Sequence, residues 1–261
     1  MPNAQNDVAL VTGASSGIGQ AIARILAARK VDLVIVARRK DRLELLAEKL
    51  RKAHGIRVDV VATDLSRTDG ARRLYEDIRR LRTDVSILVN NAGFGLQNTV
   101  LDYALDDLAA LIQVNITALT ELTRLFAADM KAAGHGYVLQ LSSVGAFQPT
   151  PMYAAYSAAK SYVLSFSYAM NRELAGTGVS ITSTCPGFTV TEFHDVAHHE
   201  KTGLMKLMSM SAERVADISV RAMFRRKPMV VPGILNRVNS FILELLPRRL
   251  STAITGGLMR K

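Results

Sequence analysis

The sequence predicts an α/β fold: a single domain built on a doubly wound parallel sheet of about seven strands, with helices on both faces. Short apolar runs alternate with segments of helical periodicity from residue 7 to about residue 235. Such alternation is typical of a parallel sheet that is covered on both faces. A chain of 261 residues that is 49% hydrophobic can bury a core of this size, and no internal repeat or low-complexity linker divides it.

The predicted elements follow one another without a break. Six strands are expected from short runs of Val, Ile and Leu, at 7–12, 31–37, 56–62, 85–90, 136–142 and 179–185. Helical patterns separate them at 17–30, 40–53, 68–82, 103–133, 153–175 and 211–225. The pair Val230 and Val231 is a candidate seventh strand. Ligands of such sheets bind beyond the carboxyl ends of the strands, so the site is expected in the loops that follow them.

The first strand leads into a glycine-rich turn, Gly13-Ala-Ser-Ser-Gly17-Ile-Gly19, and then into a helix. Glycines let a ligand approach the backbone closely, and the free amides of a helix N-terminus attract a pyrophosphate. The spacing is GxxxGxG, which differs from the commoner GxGxxG pattern. The strand before the turn and the helix after it favour a dinucleotide cradle over a purely structural turn.

Tyr156 and Lys160 lie four residues apart in the run YSAAK, at the start of a predicted helix. Side chains at this spacing share one face of a helix. A free phenol has a pKa of about 10, and a neighbouring ammonium is expected to lower it and make the phenol a usable acid or base. The spacing alone favours an ordinary amphipathic helix, so the other motifs decide.

Several motifs together carry a resemblance to a known family. TGASSGIG at 12–19, NNAG at 90–93, Asn115, Ser143 and YSAAK at 156–160 resemble the short-chain dehydrogenase/reductase family, in particular its NADP-preferring single-domain reductases. The resemblance covers roughly residues 7 to 235. It implies a Rossmann-like fold and the reduction of a carbonyl to an alcohol by hydride transfer.

The same resemblance implies a catalytic set of Asn115, Ser143, Tyr156 and Lys160, of which Ser143 and Tyr156 also bind substrate. Tyr156 is expected to donate the proton and Ser143 to stabilise the substrate oxygen. Lys160 is expected to lower the pKa of Tyr156 and to bind the cofactor ribose, while Asn115 holds a water that leads to the lysine. The neighbouring Ser142 is expected to point elsewhere, because side chains alternate along a strand.

The resemblance also implies a set of cofactor-binding residues at the strand ends. They are Gly13, Ser15, Ser16, Gly17, Ile18, Gly19, Arg38, Arg39, Asp64, Leu65, Asn90, Asn91, Ala92, Gly93, Tyr156, Lys160, Pro186, Gly187, Thr189 and Thr191. NADP(H) is favoured over NAD because arginines, not an acidic residue, follow the second strand, and a guanidinium pairs with a 2′-phosphate. Arg38 is the expected contact. The alternatives are two solvated arginines and, for Asp64, a simple helix cap.

Residues 190–212 are the expected substrate loop. Met205, Met208 and Met210 lie there with Leu204 and Leu207, and they form either an adaptable apolar lid or a helix face that packs on the core. His194, His198 and His199 match no recognised metal-ligand spacing, so no metal is expected.

The positive charge is concentrated at the C-terminal end. The net charge is +10, and residues 221–261 contain nine Arg or Lys and one Glu. Apolar residues at helical spacing predict a basic amphipathic helix in the extension 235–261, which we assign to the same domain as residues 1–234; they are Leu235, Val238, Phe241, Ile242 and Leu245. Such a helix can lie on an anionic membrane or receive an acidic acyl carrier, or it can dock on the domain or on a sister subunit. Nucleic acid is not expected as a partner.

The remaining features concern location and assembly. The only cysteine, Cys185, excludes an internal disulfide and suits a reducing compartment. The N-terminal residues lack signal-peptide features, and no apolar segment is long enough to span a bilayer, so a cytoplasmic protein is expected. The resemblance implies a homodimer or homotetramer.

Two functions remain open from the sequence. The first is an NADPH-dependent carbonyl reductase for a 3-oxoacyl or other lipophilic substrate, and the second is a catalytically idle NADP-binding sensor or interaction protein. The complete catalytic set favours the reductase.

Overall fold

A computed structural model describes residues 7–81, 83–190 and 209–259. Seven strands belong to the central sheet: β1 (Val8–Thr12), β2 (Asp32–Ala37), β3 (Val58–Ala62), β4 (Ile87–Asn90), β5 (Gly136–Leu141), β6 (Val179–Thr184) and β9 (Met229–Val230). Two further strands, β7 (Thr189–Val190) and β8 (Met210–Ser211), pair with each other. The sheet order is β3-β2-β1-β4-β5-β6-β9, and all its pairs are parallel. The predicted fold class is confirmed.

Helices connect the strands and continue beyond the sheet. They are α1 (Gly17–Ala28), α2 (Lys40–His54), α3 (Gly70–Arg80), α4 (Leu105–Ile112), α5 (Leu119–Ala133), α6 (Ala154–Glu173), α7 (Ala212–Phe224), α8 (Ile234–Leu245) and α9 (Arg248–Met259). Short 3₁₀ turns cover Val100–Asp102 and Val144–Ala146, and a π-helical turn covers Gln113–Ala118.

Alternate residues of β1, β2, β4 and β5 pack into two separate cores. In β1, Ala9 and Val11 face the core formed with α1, α2 and α7, whereas Leu10 faces the core formed with α3 and α5. All three side chains are fully buried. Burying one such side chain stabilises the fold by roughly 1.5–3 kcal/mol for the larger residues, so a strand that is apolar at every position is stable only between two helical layers.

The order in which the strands are added to the sheet reverses between β1 and β4. From β1, the chain first builds outward through β2 and β3, and then crosses to β4 and continues through β5 and β6. The loops after β1 and β4 therefore separate at their carboxyl ends and leave a crevice. The glycine-rich turn, the NNAG segment and the loop after β5 all open into this crevice.

Two regions differ from the sequence prediction. The segment 103–133 was predicted as one helix, but the π-helical turn Gln113–Ala118 separates α4 from α5. At the C-terminal end, α8 confirms the predicted amphipathic helix, whereas α9 was not predicted because STAITGG is rich in poor helix formers.

The C-terminal helices contact the loops around the crevice. The Thr255 hydroxyl of α9 donates a hydrogen bond to the Pro149 carbonyl (2.9 Å), and Gly256 packs against Pro151. Asn236 of α8 packs so closely on Gly187 that a Cβ atom there would lie 2.5 Å from Asn236 Oδ1. Within the described ranges, no helix combines the length and apolarity needed to cross a membrane.

Candidate active site

A cavity of about 740 Å³ lies at the carboxyl edge of the sheet. Most of the predicted site residues line it: Gly13, Ser15, Ser16, Gly17, Ile18, Arg38, Arg39, Asp64, Leu65, Asn91, Ala92, Gly93, Ser143, Tyr156, Lys160, Pro186, Gly187 and Thr189. Three predicted site residues do not line the cavity themselves: Gly19, Asn90 and Asn115. Thr191 lies outside the described residues.

The glycine-rich turn is held by a side chain from the next loop. Asn91 Nδ2 donates hydrogen bonds to the carbonyls of Thr12 (2.9 Å) and Gly13 (3.2 Å). Gly13 and Gly17 have φ values of 67° and 56°, which favour glycine. A Cβ atom on Gly19 would lie 2.4 Å from the Gly13 carbonyl oxygen, so Gly19 allows helix α1 to begin directly against the turn. Its role is to shape the cradle.

Asn90 braces the sheet instead of lining the cavity. Its Nδ2 donates to Thr123 Oγ1 at 3.0 Å, and Gln140 Nε2 donates to the same hydroxyl at 2.7 Å. These three buried side chains join β4, β5 and α5. The Asn90 amide was also predicted for the cofactor site, and the structure places it in this interior network.

Two arginines, Arg38 and Arg39, follow β2 and lie beside the glycine-rich turn. Arg39 Nη2 donates to both Ser15 Oγ and Ser16 Oγ at 3.1 Å, which links the end of β2 to the glycine-rich turn. Arg38 lines the cavity beside Asp64. Burial acts to raise the pKa of Asp64, but hydrogen bonds from Ser66 and the nearby arginines outweigh it and bring the pKa below its ordinary value. The end of β2 is thus cationic, whereas the Asp64 carboxylate is already engaged by its own turn.

Ser143 and Ser142 have different partners, as the strand alternation predicts. Ser142 is buried and its hydroxyl donates to the Lys160 carbonyl at 2.8 Å. Ser143 follows β5, accepts a hydrogen bond from the Gly145 amide at 3.1 Å, and is hydrogen-bonded to Tyr156. The two hydroxyl groups that were predicted to share a substrate oxygen are therefore adjacent in the cavity wall.

The pKa of Tyr156 departs from the sequence prediction. Burial raises it to about 12, and the hydrogen bond from Ser143 offsets only part of this effect. The prediction that Lys160 lowers the pKa below 10 is wrong for the protein by itself, because the cost of burying a phenolate exceeds the stabilisation from its neighbours. The phenol is consequently protonated at neutral pH and can serve as a proton donor.

Lys160 lies under the Tyr156 ring, deep in the cavity floor. Its Nζ is 5.5 Å from the ring centroid and donates to the Leu141 carbonyl at 2.9 Å. Burial lowers the pKa of Lys160 to about 8, while a Coulombic interaction with Cys185 acts in the opposite direction. The lysine can therefore release or accept a proton close to neutral pH.

Asn115 occupies the π-helical turn and reaches the lysine from behind. Its Nδ2 donates to the carbonyls of Phe94 (2.9 Å) and Leu111 (3.0 Å), whereas its buried Oδ1 accepts no hydrogen bond from the part of the chain that the structure describes. A Cβ atom on Gly93 would lie 2.6 Å from this Oδ1 and 3.3 Å from Lys160 Nζ. Gly93 thus keeps a narrow space between the acceptor and the ammonium.

Sequence reasoning missed the far wall of the cavity. It is formed by side chains from loops and from the two C-terminal helices, namely Leu96, Gln148, Tyr153, Asn239, Leu243 and Ile254. Gln148 Oε1 is buried there without a hydrogen-bond partner among the described residues. No motif marks these positions. The sequence signal at these positions is limited to the polar residues of the amphipathic α8, and their spacing fits a solvated helix equally well.

Other sequence predictions concern residues away from this wall. Cys185 is buried directly after β6, and burial raises the pKa of its thiol to about 11, which suits a structural residue. His194, His198 and His199, together with Leu204, Met205, Leu207 and Met208, lie outside the described residues. Met210 is half-buried in β8.

Comparison with known proteins finds relatives that span most of the chain. A family profile described as short chain dehydrogenase matches residues 7–202. The chain is 30% identical to an uncharacterized oxidoreductase of Staphylococcus epidermidis over 223 residues, which is 85% of this chain and 93% of the relative. It is 29% identical to a ketoacyl reductase of Nostoc sp. over 238 residues, which is 91% and 78% of the two chains.

A solved structure shows the same architecture. It is described as a short-chain dehydrogenase from Sphingobium yanoikuyae in complex with NADPH, and it superposes with a TM-score of 0.81 at 29% identity. The match covers 93% of this chain and 97% of that chain.

Proposed function

This chain belongs to the short-chain dehydrogenase family and is an oxidoreductase that acts on alcohol or ketone groups, and we propose that it is an NADPH-dependent carbonyl reductase. The observation that carries the proposal is the convergence of the Ser143–Tyr156 hydroxyl pair, Lys160 and the glycine cradle on one cavity. In this arrangement a proton donor lies beside a dinucleotide site.

The residues present are suited to a bound NADP(H). The glycines of the cradle would lose their close packing with any side chain, since a Cβ atom on Gly13 would lie 2.6 Å from Asn91 Nδ2. Arg38 and Arg39 supply positive charge after β2, where an acidic residue would repel a 2′-phosphate. Pro186, Gly187 and Thr189 would hold the nicotinamide end. The NADPH-bound relative from Sphingobium supports the same cofactor.

A bound NADPH would supply a hydride to the carbonyl carbon of the substrate. Tyr156 holds a proton at its hydroxyl, because its pKa of about 12 keeps the phenol neutral at physiological pH. Ser143 donates a hydrogen bond to the carbonyl oxygen of the substrate and stabilises the negative charge that develops there. Such an effect is often worth about 3 kcal/mol. The proton of Tyr156 then moves to this oxygen as the alcohol forms.

Lys160 and Asn115 restore the proton. A tyrosinate beside the Lys160 ammonium is stabilised by its charge, and the lysine, whose pKa is about 8, can pass a proton on near neutral pH. Asn115 Oδ1, which has no hydrogen-bond partner among the described residues, can accept a hydrogen bond from a water that contacts Lys160. An NADPH cofactor and a protonated tyrosine both favour reduction as the working direction.

We propose a lipophilic ketone, such as a 3-oxoacyl compound, as the substrate. The far wall of the cavity offers Leu96, Leu243 and Ile254 as apolar contacts and Gln148 as a polar group that can orient the substrate. The similarity to a ketoacyl reductase of Nostoc supports this class. The basic C-terminal segment supports an acidic acyl carrier as a partner. Membership of the family supports a homodimer or homotetramer.

The alternative is an idle NADP-binding module. We do not favour it, because an idle module needs neither a hydroxyl pair in contact nor a buried lysine, and burying that lysine costs stability.

The test is a substrate screen with the purified protein. NADPH oxidation is followed by absorbance with 3-oxoacyl thioesters, steroid ketones and simple aldehydes. The proposal expects turnover with at least one lipophilic ketone and little with the aldehydes. NADPH binding without oxidation by any of these compounds would instead support the idle module.

A further inference from the structure

Helix α8 is oriented with its apolar side toward solvent. Its buried positions are Asn236, Ser240 and Leu243, two of which are polar. Six large apolar residues, each between 51% and 80% exposed, form the opposite side: Ile234, Leu235, Val238, Phe241, Ile242 and Leu245. We call these six residues the outer face. A helix that stabilises a domain by docking on it has the reverse arrangement.

The active site explains the inward polar side but not the outer face. Asn236 and Asn239 line the cavity, and Asn236 packs on Gly187. These residues therefore occupy the positions at which an ordinary helix would place its core side chains. The apolar residues are left outside, and Leu250 and Ile254 of the following helix α9 are also 49% and 42% exposed. An exposed apolar surface of this extent marks an interaction site in a folded protein.

The charge around the outer face identifies the class of partner. Arg237 of α8 and Arg248 and Arg249 at the start of α9 are exposed, and Glu244 is the one acidic residue among residues 221–261. An exposed apolar helix face with a net positive charge on the same two helices matches the interface of an anionic bilayer, in which acyl chains lie beneath negatively charged headgroups. Two copies of the same face would instead bring like charges together across a two-fold axis.

We propose that the outer face of α8, with Leu250 and Ile254, docks the protein on the surface of an anionic lipid bilayer. The helix lies in the plane of the interface, with its apolar residues among the acyl chains and its arginines at the headgroups. Ile254 is 42% exposed and also lines the cavity, so a bilayer that covers Ile254 would lie at an edge of the active site. A substrate dissolved in the bilayer could enter the cavity at this edge.

The experiment is co-sedimentation with vesicles. The full chain is mixed with vesicles of phosphatidylcholine and phosphatidylserine, or of phosphatidylcholine alone. We expect binding to the anionic vesicles that weakens as salt is added, since charge interactions near a surface are screened within about 10 Å at 0.1 M salt. The double variant Phe241→Ser/Leu245→Ser should bind at least about tenfold more weakly.

The matched control is Leu101→Ser/Leu105→Ser, which removes two apolar side chains that are 96% and 82% exposed near the start of α4. It should bind as the unaltered protein does. Circular dichroism confirms that each variant is folded. The proposal is overturned if the unaltered protein does not bind anionic vesicles, or if the control loses as much binding as the α8 variant. It is also overturned if the α8 variant converts an oligomer to a monomer in lipid-free buffer, because a second copy then covers the face.

Discussion

Strand β2 and helix α8 contain similar apolar side chains but expose them very differently. Leu33, Val34 and Ile35 of β2 are fully buried between two helical layers, whereas Leu235 of α8 is 54% exposed. In the sheet, the partner of every apolar residue is another part of the same chain. In α8, the described residues of the chain cover only the side that carries Asn236, Ser240 and Leu243. Apolar periodicity therefore predicts that an element forms, and the fold decides whether its apolar side serves stability or binding.

The largest expected effect comes from comparing a buried residue of the cavity, Tyr156, with an exposed residue of α8, Phe241, and it is an effect on catalysis. Tyr156→Phe should lower turnover about a thousandfold, because it removes the proton donor while keeping the ring. NADPH affinity, measured by fluorescence titration, should remain within about threefold of the unaltered protein. On the outer surface, Phe241→Ala should leave turnover of a water-soluble ketone unchanged. Substantial activity in Tyr156→Phe would refute the assigned role of the phenol.

The next effect is on stability, and it uses the same substitution in both regions. Leu33→Ala in β2 should lower the free energy of unfolding by about 3 kcal/mol, because it leaves a cavity in a closed core. Leu235→Ala in α8 should change it by about 0.5 kcal/mol or less. Urea denaturation measures both values. Equal losses would mean that α8 is packed as tightly as the sheet.

A smaller effect is expected on cofactor preference at the open end of β2. Arg38→Glu should weaken NADPH binding relative to NADH by about tenfold, because it places a carboxylate near the 2′-phosphate. Arg39→Glu should do the same and also break the hydrogen bonds to Ser15 and Ser16. Arg24→Glu, at an exposed position of α1, makes the same change in charge and serves as the control. An unchanged preference for NADPH over NADH in both Arg38→Glu and Arg39→Glu would contradict the NADP assignment.

The smallest effect concerns the buried lysine. The pKa of Lys160 is about 8 in the fold against an ordinary 10.5, so its protonated form destabilises the fold fully below pH 8. This cost disappears as the pH rises from about 8 to 10.5. Lys160→Met should therefore be more stable at pH 7, by about 1 kcal/mol, and the advantage should shrink toward pH 10. Thermal unfolding at the two pH values is the measurement, and a variant that is less stable at pH 7 would contradict the pKa shift.

The sequence was sufficient for features that depend on local patterns. The positions of the seven strands follow from apolar runs such as Val8–Thr12, and the motif residues that line the cavity follow strand ends whose place is set by the parallel topology. Asn115 could be singled out only through the resemblance to the family, since a mid-helix asparagine by itself is ordinarily a solvated residue, and the π-helical turn lies at that residue.

Features that depend on tertiary packing could not be predicted. The pKa of Tyr156 is set by how completely the fold surrounds the ring, and the presence of Lys160 four residues away says nothing about that. Asn239 and Ile254 reach the cavity from helices some ninety residues beyond Tyr156, and no motif connects them. The exposed side of α8 was equally hidden, since its periodicity fits docking and solvent exposure alike.

The most direct test of carbonyl reduction at this cavity follows the hydride itself. The protein is incubated with its best ketone and NADPH that carries deuterium at the transferable position of the nicotinamide, and the product is analysed by mass spectrometry. We predict an alcohol with one deuterium on the carbon that was the carbonyl carbon, formed by the unaltered protein and nearly absent with Tyr156→Phe. An alcohol without deuterium, or equal product from both proteins, would contradict the account.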